Sequence, residues 1–137
     1  GDPETQPILF RLRSDLFEIL SSCFDGTVGE TPLDWDPRAT VGVVMASRGY
    51  PDAYDKGKPI SGLDAAMSPD VKIFHAGTRL DGGRVVTDGG RVLCVVGAGH
   101  GVRAARDAAY GIVRRVAWDG AFFRTDIGHR AIQSQPA

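Results

Sequence analysis

The chain has 137 residues, of which 24% are charged and 42% apolar, and its formal net charge is −1. A chain of this length buries roughly 70% of the surface it exposes when unfolded, which allows one domain, or one domain plus a fragment of another, with a core that needs no cross-links. The even charge balance gives no footing for nucleic acid or an anionic membrane as partner, and no apolar run approaches the ~20 residues of a membrane span.

The chain opens on GDPETQP, with no initiator Met and no signal-peptide pattern. That opening predicts a processed chain or part of a longer product. Residues 6–23 read as one helix: Leu9, Leu12, Leu16, Ile19, Leu20 and Cys23 recur at three- and four-residue steps, with Arg11, Arg13, Asp15 and Glu18 on the other side. Thr5 is the expected N-cap, Pro7 suits the first turn, and Gly26 stands where the helix should end. Residues 25–37 are turn-rich and without period, so they read as a linker, with the main domain running from 38 to 132 and a tail at 133–137.

Strand signals follow. TVGVVMAS (40–47) is Val-rich, and the Gly- and Pro-bearing stretch 48–64 reads as an ordered loop. VKIFHAG (71–77) is a second strand, DGG (81–83) a hairpin turn, and DGG (88–90) leads into RVLCVVG (91–97). Short turns between strands predict a mostly antiparallel sheet. Helical spacing returns over 101–116 through Val102, Ala105, Ala109, Ile112, Val113 and Val116. Phe122 to Ile127 is expected to form a last short strand, and QSQPA to fray.

The chemistry-bearing residues are few. Cys23 and Cys94 lie far apart in apolar surroundings and read as small buried thiols, which suits a reducing compartment. VVGAGHGVRAA places Gly97, Gly99 and Gly101 between a strand and a helix, like a dinucleotide fingerprint. Position 102 is Val where a third glycine should fall, so a glycine-rich strand-to-helix turn is the better reading. His75, His100 and His129 are not at metal-ligand spacing, and His75 reads as a structural histidine. Tyr50, Tyr54 and Lys56 are loop groups able to meet a phosphate or carboxylate, or to fold onto their neighbours. Asp2 and Glu4 precede a helix, where acids serve as electrostatic caps or orient a substrate ammonium or hydroxyl.

GDPETQPILFRLRSDLFEIL, GYPDAYDKGKPISGL, KIFHAGT, VVTDGGRVLCVV and FRTDIGHRAI, in this order, resemble the C-terminal part of phosphoribosylamine–glycine ligases over residues 1 to about 132. Arg48 departs from the family, which carries a small residue before GYP. The resemblance implies an α+β fold: a mostly antiparallel, barrel-like β domain with a packed helix, preceded by the helix over 6–23, which belongs to the C-terminal end of an ATP-grasp domain (1–24). It implies a cytoplasmic enzyme of purine synthesis that joins glycine to 5-phosphoribosylamine through a glycyl phosphate, using ATP and magnesium. The metal ligands of the family, its adenine pocket and its phosphate-holding lysines lie upstream of GDPETQ. The expectation is therefore no catalytic and no metal-ligating residue in this chain, and an isolated chain without turnover. Asp2, Glu4 and Thr5 are expected to reach substrate, with His75 and Thr78 as further lining. A stand-alone interaction module that reuses the domain is the alternative. The apolar face of 6–23 is expected to dock on the domain or to drive self-association.

Overall fold

A computed structural model describes residues 1–65 and 68–134. The elements run α1 (Thr5–Arg11), α2 (Leu16–Asp25), a 3-10 turn (Val28–Glu30), β1 (Ala39–Ser47), a second 3-10 turn (Leu63–Ala65), β2 (Val71–His75), β3 (Thr78–Asp81), β4 (Arg84–Thr87), β5 (Arg91–Gly99), α3 (Val102–Val113), β6 (Ala121–Phe123) and α4 (His129–Gln133). Four strands form an antiparallel sheet in the order β2-β5-β1-β6, and β3 and β4 form a separate hairpin. Among the described residues the expected barrel closure is absent: β2 and β6 end the sheet. Its physical cause lies in β6 and β4. β6 holds β1 only from Met45↔Phe123 to Ser47↔Ala121. β4 takes its outer hydrogen bonds from the loop after β1, through Gly57 N to Thr87 O (2.7 Å), Thr87 N to Lys58 O (2.9 Å) and Ile60 N to Val85 O (3.0 Å). The loop over 48–64 is thus ordered by pairing.

The core lies between the sheet and α3. Val41, Val43 and Met45 of β1 pair with Gly97, Val95 and Leu93 of β5 and share a face with them. Ala105, Ala109, Tyr110 and Val113 of α3 cover that face and are buried. The approach is close: a Cβ on Gly97 would sit 2.4 Å from the Ala105 carbonyl oxygen, and one on Gly99 would sit 2.7 Å from the Ala105 nitrogen. These two glycines serve helix packing, which accounts for the dinucleotide-like pattern. The opposite face carries α1. Pro7 sits over Gly42, the Thr40 hydroxyl donates to the Pro7 carbonyl (2.8 Å), and the Phe10 and Phe74 rings meet edge to face at 6.4 Å.

The helix expected over 6–23 is two helices. The chain leaves α1 at Leu12, which forms an antiparallel bridge with Trp35. Arg13 N donates to Asp34 O (2.9 Å) and Asp36 N to Arg11 O (2.7 Å). Ser14 Oγ accepts from Asp34 N (2.7 Å), and the Asp15 carboxylate accepts from Phe17 N (2.7 Å) and Glu18 N (3.2 Å), starting α2. Side-chain bonds of this kind compete with the helical ladder and win here. Gly26 closes α2 in the left-handed region at φ 74°, as expected. Thr5 is not the cap: Glu4 holds that position without a side-chain bond, because the chain has already turned at residues 2–4. Cys94 is buried, whereas Cys23 is exposed because α2 packs chiefly on the 3-10 turn that follows it and not on the sheet. The strand expected to Ile127 stops at Phe123, since the Tyr110 hydroxyl takes the Arg124 carbonyl and the Ile127 N–H (3.2 Å). Of the expected tail, Gln133 ends α4, and 135–137 lie outside the described residues.

The tight face predicts opposite signs for two alanine substitutions. Gly97→Ala should destabilise the domain by about 2 kcal/mol or more through overpacking against helix backbone. Gly111→Ala, at an open position on α3, should stabilise it by about 0.5–1 kcal/mol. Urea unfolding of the two variants checks both.

Candidate functional site

Polar groups gather where β1 and β2 end and β5 begins. Two crossings build this end of the sheet. Gly77 N donates to Arg91 O (2.9 Å) and Asp88 N to Gly77 O (2.7 Å); Ser47 N donates to Gly90 O (2.8 Å). The Tyr50 ring lies directly over Gly90 and stands 6.4 Å from Tyr54. Lys56 pairs with Asp88 at 3.5 Å, and Arg79 pairs with Asp81 at 3.0 Å. Lys56 and the tyrosines therefore fold onto their neighbours, the second of the two readings open in the sequence. A cleft of about 360 Å³ adjoins them, lined by Arg48, Gly49, Tyr54, Asp55 and Asp119.

The residues singled out in the sequence divide between two faces of this sheet end. Asp2 lies on the α1 side, where its carboxylate forms an ion pair with Arg91 (Nε at 2.9 Å) and accepts from Gln6 Nε2 (2.8 Å). Thr5 Oγ1 accepts from the Gly1 nitrogen (2.9 Å). Glu4 is exposed and lines a groove with Pro7, Ile8, Arg11, Trp35 and Thr40. His75 pairs with Leu93, whose side chain belongs to the face under α3, and is itself exposed. Its Nδ1 lies 3.0 Å from Thr78 Oγ1. Asp2, Glu4 and Thr5 thus form one group, and His75 and Thr78 another.

Sequence reasoning missed two sets of residues. Arg91 is the first. Asp36 is the second: nearly buried, its carboxylate accepts from Arg38 Nε (3.1 Å) and Nη2 (2.8 Å) and lies 3.5 Å from Arg13. Arg38 also binds Asp70 at the start of β2. This cluster closes the end of the sheet opposite Asp2 and secures the C-terminal end of α1. The Arg38 hydrogen bonds hold the Asp36 carboxyl well below the usual carboxylate range. Its only sequence signal is the alternation of charges in DWDPR (34–38).

Nucleophile and metal chemistry find little support in these side chains. Burial, with the Asp2 charge second, pushes the Cys94 thiol up to about 11, so it stays protonated at neutral pH. Magnesium takes carboxylate and phosphate oxygens in octahedral array. The Asp2 carboxylate is already engaged, and among the described residues no three His, Cys, Asp or Glu side chains cluster as metal ligands. The residues present do not fit a metal-holding role. Also among the described residues, no helix is long and apolar enough to cross a membrane.

Fold and site together define a small α+β domain that presents a polar sheet end to its surroundings. The chain belongs to the family of phosphoribosylglycinamide synthetase C domains: the profile described as "Phosphoribosylglycinamide synthetase, C domain" matches residues 40–130. It is 54% identical to the phosphoribosylamine–glycine ligase of Allochromatium vinosum over 132 residues, 96% of this chain and 31% of the relative. It is 49% identical to the ligase of that name from Vibrio cholerae over 137 residues, 100% of this chain and 32% of the relative. A crystal structure of phosphoribosylamine–glycine ligase from Thermotoga maritima superposes with a TM-score of 0.70 at 34% identity, covering 92% of this chain and 30% of that one. The chain thus spans about 31% of the length of the curated relatives it matches. Matches over 96–100% of this chain to ligases of one name do not favour a stand-alone interaction module.

Asp36 has a pH signature. A carboxyl whose folded pKa is depressed adds stability above its unfolded value of about 3.9, and that stability is lost as pH falls toward the folded value. Asp36→Asn should therefore melt below the parent chain at pH 7, and the gap should narrow as pH falls from about 4 to 2. Thermal melts across that range measure it. A constant gap would show that the Asp36 charge is not what stabilises the domain.

Proposed function

We propose that this chain is the C-terminal part of an ATP-dependent phosphoribosylamine–glycine ligase of the cytoplasm, and that residues 1–24 are the end of its ATP-grasp domain, 25–37 a linker and 38–132 the C-terminal domain. The reaction joins glycine to 5-phosphoribosylamine through a glycyl phosphate in purine synthesis. ATP and magnesium are held by residues outside this chain. The names of the relatives and the in-register motifs support the reading. The observation that supports it is the tie between GDPETQ and the sheet end through Asp2 and Arg91; in this reading the C-terminal domain forms one wall of the site that GDPETQ belongs to.

In this reading the chain contributes binding and orientation, the terms by which such enzymes gain most of their rate. The Glu4 carboxylate is exposed in the groove beside α1 and suits a substrate ammonium or hydroxyl. His75 and Thr78, paired to each other, line the approach from the other face. The isolated chain should show no ATP hydrolysis dependent on glycine and phosphoribosylamine, and turnover by the pure chain would contradict this division of labour. In the full-length ligase, Glu4→Gln should raise the KM for one of the two acceptor substrates about tenfold, the effect of losing one charged hydrogen bond. Unchanged kinetics would remove Glu4 from the site.

Apart from the ligase, the chain carries an apolar stripe on α2, where Phe17, Leu20 and Phe24 are 78%, 52% and 92% exposed. A stripe of this kind drives association. The isolated chain should self-associate through it, and Phe24→Glu with Phe17→Glu should return it to a monomer in light scattering. A parent chain that is already strictly monomeric would refute the pairing.

A further inference from the structure

The side chain of Arg91 points where plain alternation forbids. Leu93 faces α3, and two residues earlier Arg91 should face α3 as well. The β1–β5 register explains the reversal. It runs Val43↔Val95, Val44↔Cys94, Met45↔Leu93 and then Ala46↔Arg91, leaving Val92 as an extra residue on β5. Val92 is fully buried in the same core cluster as Leu93. Arg91 shares its face with Ala46, the face on which α1 lies. Bulges re-aim side chains in this way and occur beside functional sites. The Arg91 backbone is equally constrained. Its carbonyl accepts from Gly77 N (2.9 Å), and a Cβ on Gly77 would lie 2.7 Å from that oxygen and 2.6 Å from Gly89 Cα.

The Arg91 guanidinium reaches one oxygen of Asp2 (2.9 Å), and Gln6 holds the other (2.8 Å). The Asp2 carboxylate therefore has a charged partner and a neutral donor within its own chain, while the carboxylate of Glu4, two residues on, has no ion pair and accepts no hydrogen bond among the described residues. We infer that Arg91 is a positioning residue: the bulge at Val92 brings it to the α1 face, where it holds Asp2 as a brace for residues 1–5 and leaves Glu4 as the carboxylate presented to substrate. Asp2 thereby moves from the substrate ligands to the supporting residues. The consequence for turnover rests on the ligase reading; the brace itself does not.

Two measurements test this. In the full-length ligase, Arg91→Met and Asp2→Asn should each lower kcat/KM about ten- to hundredfold by loosening the site wall. The double variant should lose no more than either single one, because both remove the same brace. The exchanged pair, Asp2→Arg with Arg91→Asp, should recover part of the loss. In this chain, hydrogen exchange at the Thr5 amide, which donates to Gly1 O (2.8 Å), should quicken in Arg91→Met. If that variant does not fold, Arg91→Lys, which keeps the charge and loses the Nε–H, should give an intermediate loss and intermediate exchange. Losses that multiply in the double variant, or a large effect of Asp2→Asn with none from Arg91→Met, would place Asp2 on the substrate and overturn the inference. If the full-length protein has no ligase activity, the function proposed above fails. Exchange then decides the brace alone, and unchanged exchange at Thr5 in Arg91→Met overturns it.

Discussion

The pairing of β1 with β5 sets every other element of the domain. It runs from Ala39↔Gly99 to Ala46↔Arg91 and places glycine on β5 where α3 must come close and on β1 where Pro7 of α1 must. A strand pair with both faces covered reads as a nearly continuous apolar run, and β5 does so from Val92 to Val96. The edge strands are placed relative to this pair: β2 is in register with β5 only, and β6 with β1 only. The one irregularity in the pairing, at Val92, is also what brings a charged side chain from β5 out beside the first residues of the chain.

Helix α1 is consequently fastened to the sheet at both ends, whereas α2 is tied at its start, through Arg13 and Ser14, to residue 34 of the returning chain. At its N-terminal end Asp2 meets Arg91 and Gln6. Just past its C-terminal end, Arg11 Nε donates to Asp36 O (3.0 Å), and Asp36 is clamped in turn by Arg38. Between these points Pro7 and Phe10 pack on the sheet. The short antiparallel contact of Leu12 with Trp35 is where the chain departs toward α2 and returns. Helix α1 is thus packed and bonded onto the sheet, even though its sequence runs on without a break in apolar spacing into α2.

That difference marks what a sequence reveals and what it conceals here. The Val-rich strands, the DGG turns and α3 follow from periodicity and turn chemistry, which are local. The break between α1 and α2 had a local signal too: Asp15 and Glu18 have the spacing of a capping box, inside a run of leucines whose period hid it. Leucine spacing says which residues share a face but not whether the helix persists. Nothing local announces the bulge at Val92, because it is a property of how two strands of distant sequence meet. Asp2 was readable as a functional acid, but its partner lies at residue 91, so its role as a brace was not. Barrel closure failed for a related reason: strand count is legible, whereas the competition of residues 57–60 for the β4 edge is a tertiary matter.

The two ion clusters also differ in what they are suited to do. Asp36 is nearly buried and doubly bonded by the less buried Arg38, so removing it takes away the bond that ties the residues after α1 together, and its cost falls on folding. The Asp2–Arg91 pair is 33% and 41% exposed on its two side chains, and pairs of that kind add little to stability. A weak contributor to folding that nevertheless depends on a bulge, a glycine crossing and a second donor from Gln6 is over-determined for stability. Such over-determination has a use where a few tenths of an ångström matter, which is at the wall of a binding site and not in the middle of a surface. On the ligase reading proposed above, the sheet end at Asp2 is the one that faces the substrates, and the end at Asp36 keeps the first helix in place.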